Sequence, residues 1–197
     1  MKSCIVAITG ASGSIYGIRL IEELLKSIDT VHVCISNQAF DNIKIETSLN
    51  WSANTSSAIE KKIRGHFSSD NIRFHSDTNL AAPVSSGSYC TEGMFVVPCS
   101  MKTLSGIANG YASNLIERSA DVTLKEGRQL IISPREMPLS AIHLENMLKL
   151  ARLGVKIVPP IPAFYQKPQS LSDLIDFVVG KILDSAGIAH NLFKRWH

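Results

Sequence analysis

The sequence predicts a three-layer, doubly wound α/β sandwich built around a parallel sheet. Five short runs of β-branched and apolar residues recur along the chain, each ending in small or turn-forming residues. Between several of them lie segments whose apolar residues repeat at helical spacing. The runs are hydrophobic almost without interruption, which suits strands covered on both faces rather than one.

In chain order, the first strand is "CIVAITG", followed by a turn holding Gly10, Gly13 and Gly17 and a helix over "SIYGIRLIEELLKS". The second strand, "TVHVCIS", ends in Ser36 and Asn37. Residues 50–80 are less regular and carry one polar helix around "SSAIEKKIRG". The strand "GMFVVPC" leads into Ser100-Met101-Lys102-Thr103, a hydroxyl-rich helix start. A helix over "SNLIERSADVTLKEG" precedes the strand "RQLIISP", which delivers Arg135 and Glu136 directly at its end. The helix "LSAIHLENMLKLARLG", the strand "VKIVPP" and a rigid proline-rich loop "PPIPAFYQKPQS" follow. The last helix, "SLSDLIDFVVGKILDSAG", opens with a Ser170-x-x-Asp173 capping pattern and stops near Gly187. With no internal repeat and no linker, residues 1–197 read as one domain.

Composition narrows the function classes. A chain of 197 residues, 45% hydrophobic and 19% charged, has the make-up of an ordinary globular domain. No apolar run approaches the roughly 20 residues that span a bilayer, and "MKSCIVAITGAS" is too short in its apolar part for a secretory leader. Cys4, Cys34, Cys90 and Cys99 form no C-x-x-C pair, which fits a reduced compartment and offers no zinc site. The expected setting is the cytoplasm, away from membranes. A net charge of +3 is too small to imply nucleic acid.

In a doubly wound fold, ligands sit beyond the carboxyl ends of the strands. The glycine turn after the first strand presents backbone N–H groups and a helix dipole, both favourable to an anion. Alternatively, its glycines serve only the strand-to-helix geometry. The second strand ends without an acidic residue to grip a ribose, and neither a Tyr-x-x-x-Lys pair nor a G-K-[ST] motif occurs. NAD, NADP and ATP therefore fit poorly. The hydroxyls of Ser100 to Thr103, with Ser85, Ser86 and Ser88 around Gly87, suit a mononucleotide phosphate and a polar ring such as flavin.

Arg118, Lys125, Arg128, Arg135 and Lys181 are candidates for a second phosphate. A solvated face competes with that reading for the helical cations, and a structural ion pair competes for Arg135 and Glu136. At the end of a buried strand, the Glu136 carboxylate is placed to move protons. His143 and Glu145 lie two positions apart on a helix and point to different faces, so they cannot share an ion there. Phe164, Tyr165 and Trp196 are aromatic residues able to cover a ligand.

Taken together, "TGASGSIYGIRL", "SSGS", "PCSMKTLSGIANGYASNLIERSADVTLKEGR", "PREMPLSAIHLENMLKLARLG" and "PPIPAFYQKPQSLSDLIDFVVGKILD" resemble the UbiX-type flavin prenyltransferases, long labelled aromatic acid decarboxylases. The match leaves out residues 47–78. The resemblance implies a flavodoxin-like, Rossmann-like sandwich in a homododecamer, with FMN bound between subunits. It further implies transfer of dimethylallyl from dimethylallyl monophosphate to reduced FMN, at N5 and then C6, without metal. The product, prenylated FMN, would serve a UbiD-type decarboxylase, in ubiquinone biosynthesis or in aromatic acid breakdown.

Carried over by motif, Gly10, Ala11, Ser12, Ser36, Ser100, Met101, Lys102, Thr103 and Arg135 would hold FMN. Glu46, Arg118, Lys125, Arg135, Tyr165 and Lys181 would surround the prenyl phosphate, with Trp196 as a lid. Glu136 would be the acid–base residue, joined in catalysis by Lys125, Glu46 and Ser12. The segment 170–197 would cover the active site or a neighbouring subunit. Lys181 stands where the family often has Arg, which keeps the charge and loses the bidentate fork. Two rival readings are a flavin-dependent decarboxylase, against which "PCSMKT" in place of "PASANT" argues, and a non-enzymatic FMN carrier, which has no use for a second set of phosphate cations.

Overall fold

The computed structural model describes residues 2–195. Six parallel strands form one sheet in the order β3-β2-β1-β4-β5-β6. They are β1 (Ser3–Ile8), β2 (Thr30–Ile35), β3 (Ile72–Ser76), β4 (Gly93–Cys99), β5 (Gln129–Pro134) and β6 (Lys156–Ile157). The helices are α1 (Ser14–Leu24), α2 (Asn37–Thr47), α3 (Ser56–Phe67), α4 (Met101–Asn109), α5 (Leu115–Lys125), α6 (Ala141–Arg152) and α7 (Leu171–Ala186). The chain starts in the middle of the sheet, winds outward to β3, then returns to β4 beside β1 and winds the other way. Winding direction therefore reverses between β1 and β4, the point at which doubly wound sheets open a crevice for ligands.

Alternation along each buried strand divides the core in two. Val6, Ile8, Val33 and Val97 pack with Ile21 and Leu24 of α1 and with Val179, Ile182 and Leu183 of α7. Ile5, Ala7, Met94, Val96 and Ile132 face the other layer, against Leu104 of α4, Leu115 and Ala120 of α5, and Leu150 of α6. Gly17 matters to the first layer. A Cβ there would run into the carbonyl oxygen of Val97, so glycine lets α1 lie directly against β4.

Two elements have no counterpart in the sequence reading, α2 and β3. α2 buries only Ala39 and Ile43, too few to mark a helical stripe. β3, "IRFHS", is an edge strand paired only with β2, so it lacks the continuous apolar run of its neighbours. Conversely, "VKIVPP" yields just two strand residues, because prolines 159 and 160 have no N–H for a ladder. The final helix follows its signals closely. Ser170 and Asp173 form a reciprocal capping box, and Gly187 closes the helix in the left-handed region at φ 71°.

The segment between β3 and β4 runs from the carboxyl edge of the sheet to the amino edge. It is tied down midway by the Tyr89 hydroxyl, 3.0 Å from His32 Nε2, while His32 Nδ1 lies 2.9 Å from His75 Nε2. Burial, helped by the charges of His75 and Arg73, pushes the His32 imidazole down to a pKa of about 4.

Candidate active site

The carboxyl edge brings together the turns after β1, β2, β4 and β5. Thr9 stitches the two central ones. Its backbone N–H and its hydroxyl both donate to the Pro98 carbonyl, at 3.2 and 2.8 Å, and the hydroxyl oxygen accepts from Ser100 N at 2.7 Å. Ser36 N donates to Ile8 O at 3.1 Å, which ties in the turn after β2. Arg135 completes the rim. Its backbone N–H donates to Cys99 O at 3.1 Å, and its Nε to Ser12 O at 3.2 Å. The turns that carry Gly10 to Ser12, Ser36, Ser100 to Thr103 and Arg135 are therefore joined into one rim, where the sheet changes winding direction.

Several polar atoms in this crevice are buried and unpaired. The hydroxyls of Ser14 and Ser36 and one carboxyl oxygen of Asp77, just past β3, have no hydrogen-bond partner among the described residues. Burial pushes the Asp77 carboxyl above its usual range, against the pull of backbone N–H groups and the Lys102 charge. Unpaired buried groups of this kind call for a ligand or water. Hydroxyl donors beside an acidic group fit a molecule bearing both acceptors and donors, as the phosphate, ribityl chain and pyrimidine edge of a flavin mononucleotide do. At Gly10, a Cβ would come within 2.9 Å of the Gln38 side chain, so the turn tolerates no bulk.

The α1 N-terminus already holds an anion. Gly13 is its cap residue, at φ 102° where other side chains are strained. Glu46 of α2 accepts from Gly13 N at 3.0 Å and from Ser14 N at 2.8 Å. Two of the amides at the end of the glycine turn, those of Gly13 and Ser14, are thus engaged by a carboxylate. At α4 the cap is local, Ser100 Oγ accepting from Thr103 N at 3.3 Å.

Of the remaining candidates, Glu136 follows Arg135 at the carboxyl end of β5 and the others lie elsewhere. Glu136 is exposed, its carboxylate accepting from Met137 N at 3.0 Å, and among the described residues it forms no ion pair with Arg135. Lys125 closes α5 at the amino edge of the sheet and pairs with Glu126. β4 has seven residues, so that edge stands ~20 Å from the crevice at about 3.3 Å per residue. The loop Ser85 to Ser88 runs down beside α5 and does not reach the rim. Arg128 donates to the carbonyls of Gly87 at 2.6 Å and Tyr89 at 2.8 Å, a structural role. Arg118 pairs with Asp121 at 2.9 Å and donates to Ser85 O at 3.2 Å. Tyr165 packs edge-on against Phe177, and Lys181 lies one turn further along the same face of α7. Trp196 lies outside the described residues.

His143 accepts from Ser140 N and belongs to the α6 capping box. Among the described residues, no group of three or more His, Cys, Asp or Glu side chains is arranged to hold a metal ion. Thr9, Ser14 and Asp77 escaped the sequence reading. A threonine ending a strand and an aspartate in an irregular stretch carry no motif, and only the sheet order brings them to the crevice.

The fold and the crevice define a mononucleotide-binding α/β protein of the Rossmann kind, with hydroxyl and amide donors in place of an acidic ribose grip. The Flavoprotein family model matches residues 1–183. A protein of Halalkalibacterium halodurans described as "Flavin prenyltransferase UbiX" is 50% identical over 97% of this chain and 91% of its own length. The crystal structure of AnUbiX (PadA1) in complex with FMN and dimethylallyl pyrophosphate is 43% identical, with a TM-score of 0.89 over 100% of this chain and 97% of that one. A dodecameric FMN-dependent UbiX-like decarboxylase from Escherichia coli O157:H7 is also 43% identical, with a TM-score of 0.86 over 99% of each chain. The chain belongs to the Flavoprotein family, in its UbiX-type flavin prenyltransferase branch.

Proposed function

We propose that this protein is a flavin prenyltransferase, moving dimethylallyl from dimethylallyl monophosphate to N5 and then C6 of reduced FMN. The reading is carried by one coincidence. A chain half identical to a flavin prenyltransferase over nearly its whole length has orphaned hydroxyls at its strand-order reversal. FMN, as acceptor substrate, supplies the nucleophilic ring atoms. Gly10, Ala11, Ser12, Ser36, Ser100, Met101, Lys102, Thr103 and Arg135 hold it.

Breaking the allylic carbon–oxygen bond leaves an allyl cation and a phosphate that departs with the electron pair. Arg118, Lys125, Arg135 and Lys181 take up the phosphate's charge, the part a magnesium ion plays for pyrophosphate donors. Tyr165 and Trp196 wall the cation from water, Glu46 and Ser12 orient the donor, and Glu136 moves the proton during ring closure.

Lys125 and Arg135 belong to opposite edges of one sheet, so the site is assembled between chains. A homododecamer, as in the Escherichia coli relative, supplies such contacts. α6 leaves Ile142, Leu144 and Leu148 exposed, and these offer apolar surface for them. Residues 1–197 act as one flavoprotein domain whose segment 170–197 covers the site or a neighbour. A cytoplasmic setting is supported by four unpaired cysteines, three of them buried, and no helix among the described residues is long and apolar enough to cross a membrane. Prenylated FMN then passes to a UbiD-type decarboxylase.

Anaerobic incubation with reduced FMN and dimethylallyl monophosphate tests the reading. The flavin should gain the mass of one dimethylallyl group. Unchanged flavin rejects it, and carbon dioxide released from an aromatic acid by the protein alone would favour the decarboxylase instead.

A further inference from the structure

Phe177, Gly180, Lys181 and Asp184 share one face of α7, at spacings of three and four residues. Residues 188–195 turn back over that face. The Phe193 ring and the His190 imidazole cover Gly180 so closely that a Cβ there would lie 2.6 Å from His190 Cε1. Phe193 packs on Phe177 with ring centres 5.1 Å apart, and Phe177 meets Tyr165 edge-on at 5.7 Å. Gln166 Nε2 donates to Lys194 O at 2.8 Å, joining the Tyr165 loop to the returning segment.

The Asp184 carboxylate is the centre of this arrangement. Its Oδ1 lies 3.1 Å from His190 Nε2, and its Oδ2 accepts from Arg195 Nη1 at 2.7 Å. Lys181 Nζ stands further off, 3.5 Å from the same Oδ2, and its side chain is half exposed. One carboxylate is thus shared by three nitrogen groups, and the two from the returning segment hold the shorter contacts. An ammonium on a flexible stem follows the strongest uncompensated charge within reach. With Arg195 in place, that charge is largely spent.

We propose that Arg195 and His190 are positioning residues for Lys181. By taking the two closer contacts to Asp184 they hold the ammonium at the longer 3.5 Å distance, within reach of the phosphate of the prenyl donor, while Phe193, seated on Gly180, holds Phe177 and Tyr165 beside it. Without Arg195, Lys181 collapses onto Asp184 and is lost to the substrate. The inference rests on the reading of Lys181 and Tyr165 as donor-phosphate ligands.

Kinetics with dimethylallyl monophosphate, on variants whose thermal unfolding matches the parent, test both layers. Arg195→Gln should raise KM about threefold to tenfold and lower kcat with it, since Lys181 also takes up the charge of the departing phosphate, with reduced-FMN affinity close to that of the parent. Adding Asp184→Asn to Arg195→Gln should bring KM back to within about twofold, since the competing charge is gone. Arg195→Lys should rescue in part. A KM unmoved by Arg195→Gln, or raised and not restored by Asp184→Asn, overturns the positioning role. Lys181→Gln separates the two readings. If it leaves both KM and kcat unchanged, Lys181 is no phosphate ligand and there is nothing to position; if it changes either while Arg195→Gln does not, only the positioning role falls.

Discussion

The turn after β1 and the turn after β4 both open a helix at the carboxyl edge, yet they satisfy their helix ends in opposite ways. α4 is capped from within by Ser100, three residues before the amide it receives. α1 has no side-chain cap of its own and borrows Glu46 from α2, 32 residues beyond Ser14. The contrast separates two kinds of anion preference. The glycine turn spends the amides of Gly13 and Ser14 on a carboxylate. The orphaned hydroxyls of Ser14 and Ser36 flank it and point to where a ligand is still wanted.

The comparison is broken most completely at the support under the first turn. Gly17→Val would drive a branched side chain into the Val97 carbonyl and push α1 off β4. A loss of about 3 kcal/mol is expected, read as a lower urea midpoint; an unchanged midpoint would mean the close approach is not required. Next comes the seam joining the turns. Thr9→Val removes the acceptor for Ser100 N and a donor to Pro98 O, at a cost of about 1–3 kcal/mol for buried groups left unpaired. FMN binding, followed by fluorescence titration, should weaken in parallel, because both turns lose their common anchor.

The smallest effects sharpen the contrast itself. Ser100→Ala and Glu46→Gln should each cost about 1 kcal/mol or less. They should respond differently to salt. Glu46 is exposed and acts through charge, so its contribution should largely vanish at about 1 M salt, where screening reaches ~3 Å. The Ser100 cap is a neutral hydrogen bond and should persist. Equal salt responses in the two variants would erase the distinction drawn here.

Legibility in the sequence followed burial. The central strands and α1, α5 and α7 could be read because each buries a continuous or periodic apolar set, whereas α6 showed itself through apolar residues that it mostly leaves exposed, and caps such as Ser170 with Asp173 are purely local. α2 and β3 lie at the margin of the sheet, bury little and leave little pattern. Gly10 to Ser12, Ser36, Ser100 to Thr103 and Arg135 could likewise be nominated, since each directly follows a strand. The Ser85–Ser88 loop resembled them in composition but runs along α5 towards Arg128, because the chain must return to the amino edge before β4 can begin.

The sequence alone determined the central strands, which turns carry hydroxyls, amides and cations, and which family they resemble, because these properties are set by side chains a few residues apart. Only the tertiary structure decided that Glu46 occupies the glycine turn, that Thr9 joins it to Ser100, that Lys125 faces away from Arg135, and that Arg195 competes with Lys181 for Asp184. Those relations join residues far apart in the chain or set on different elements. They follow from the order in which strands line up and from how the last residues fold back, neither of which any local pattern encodes.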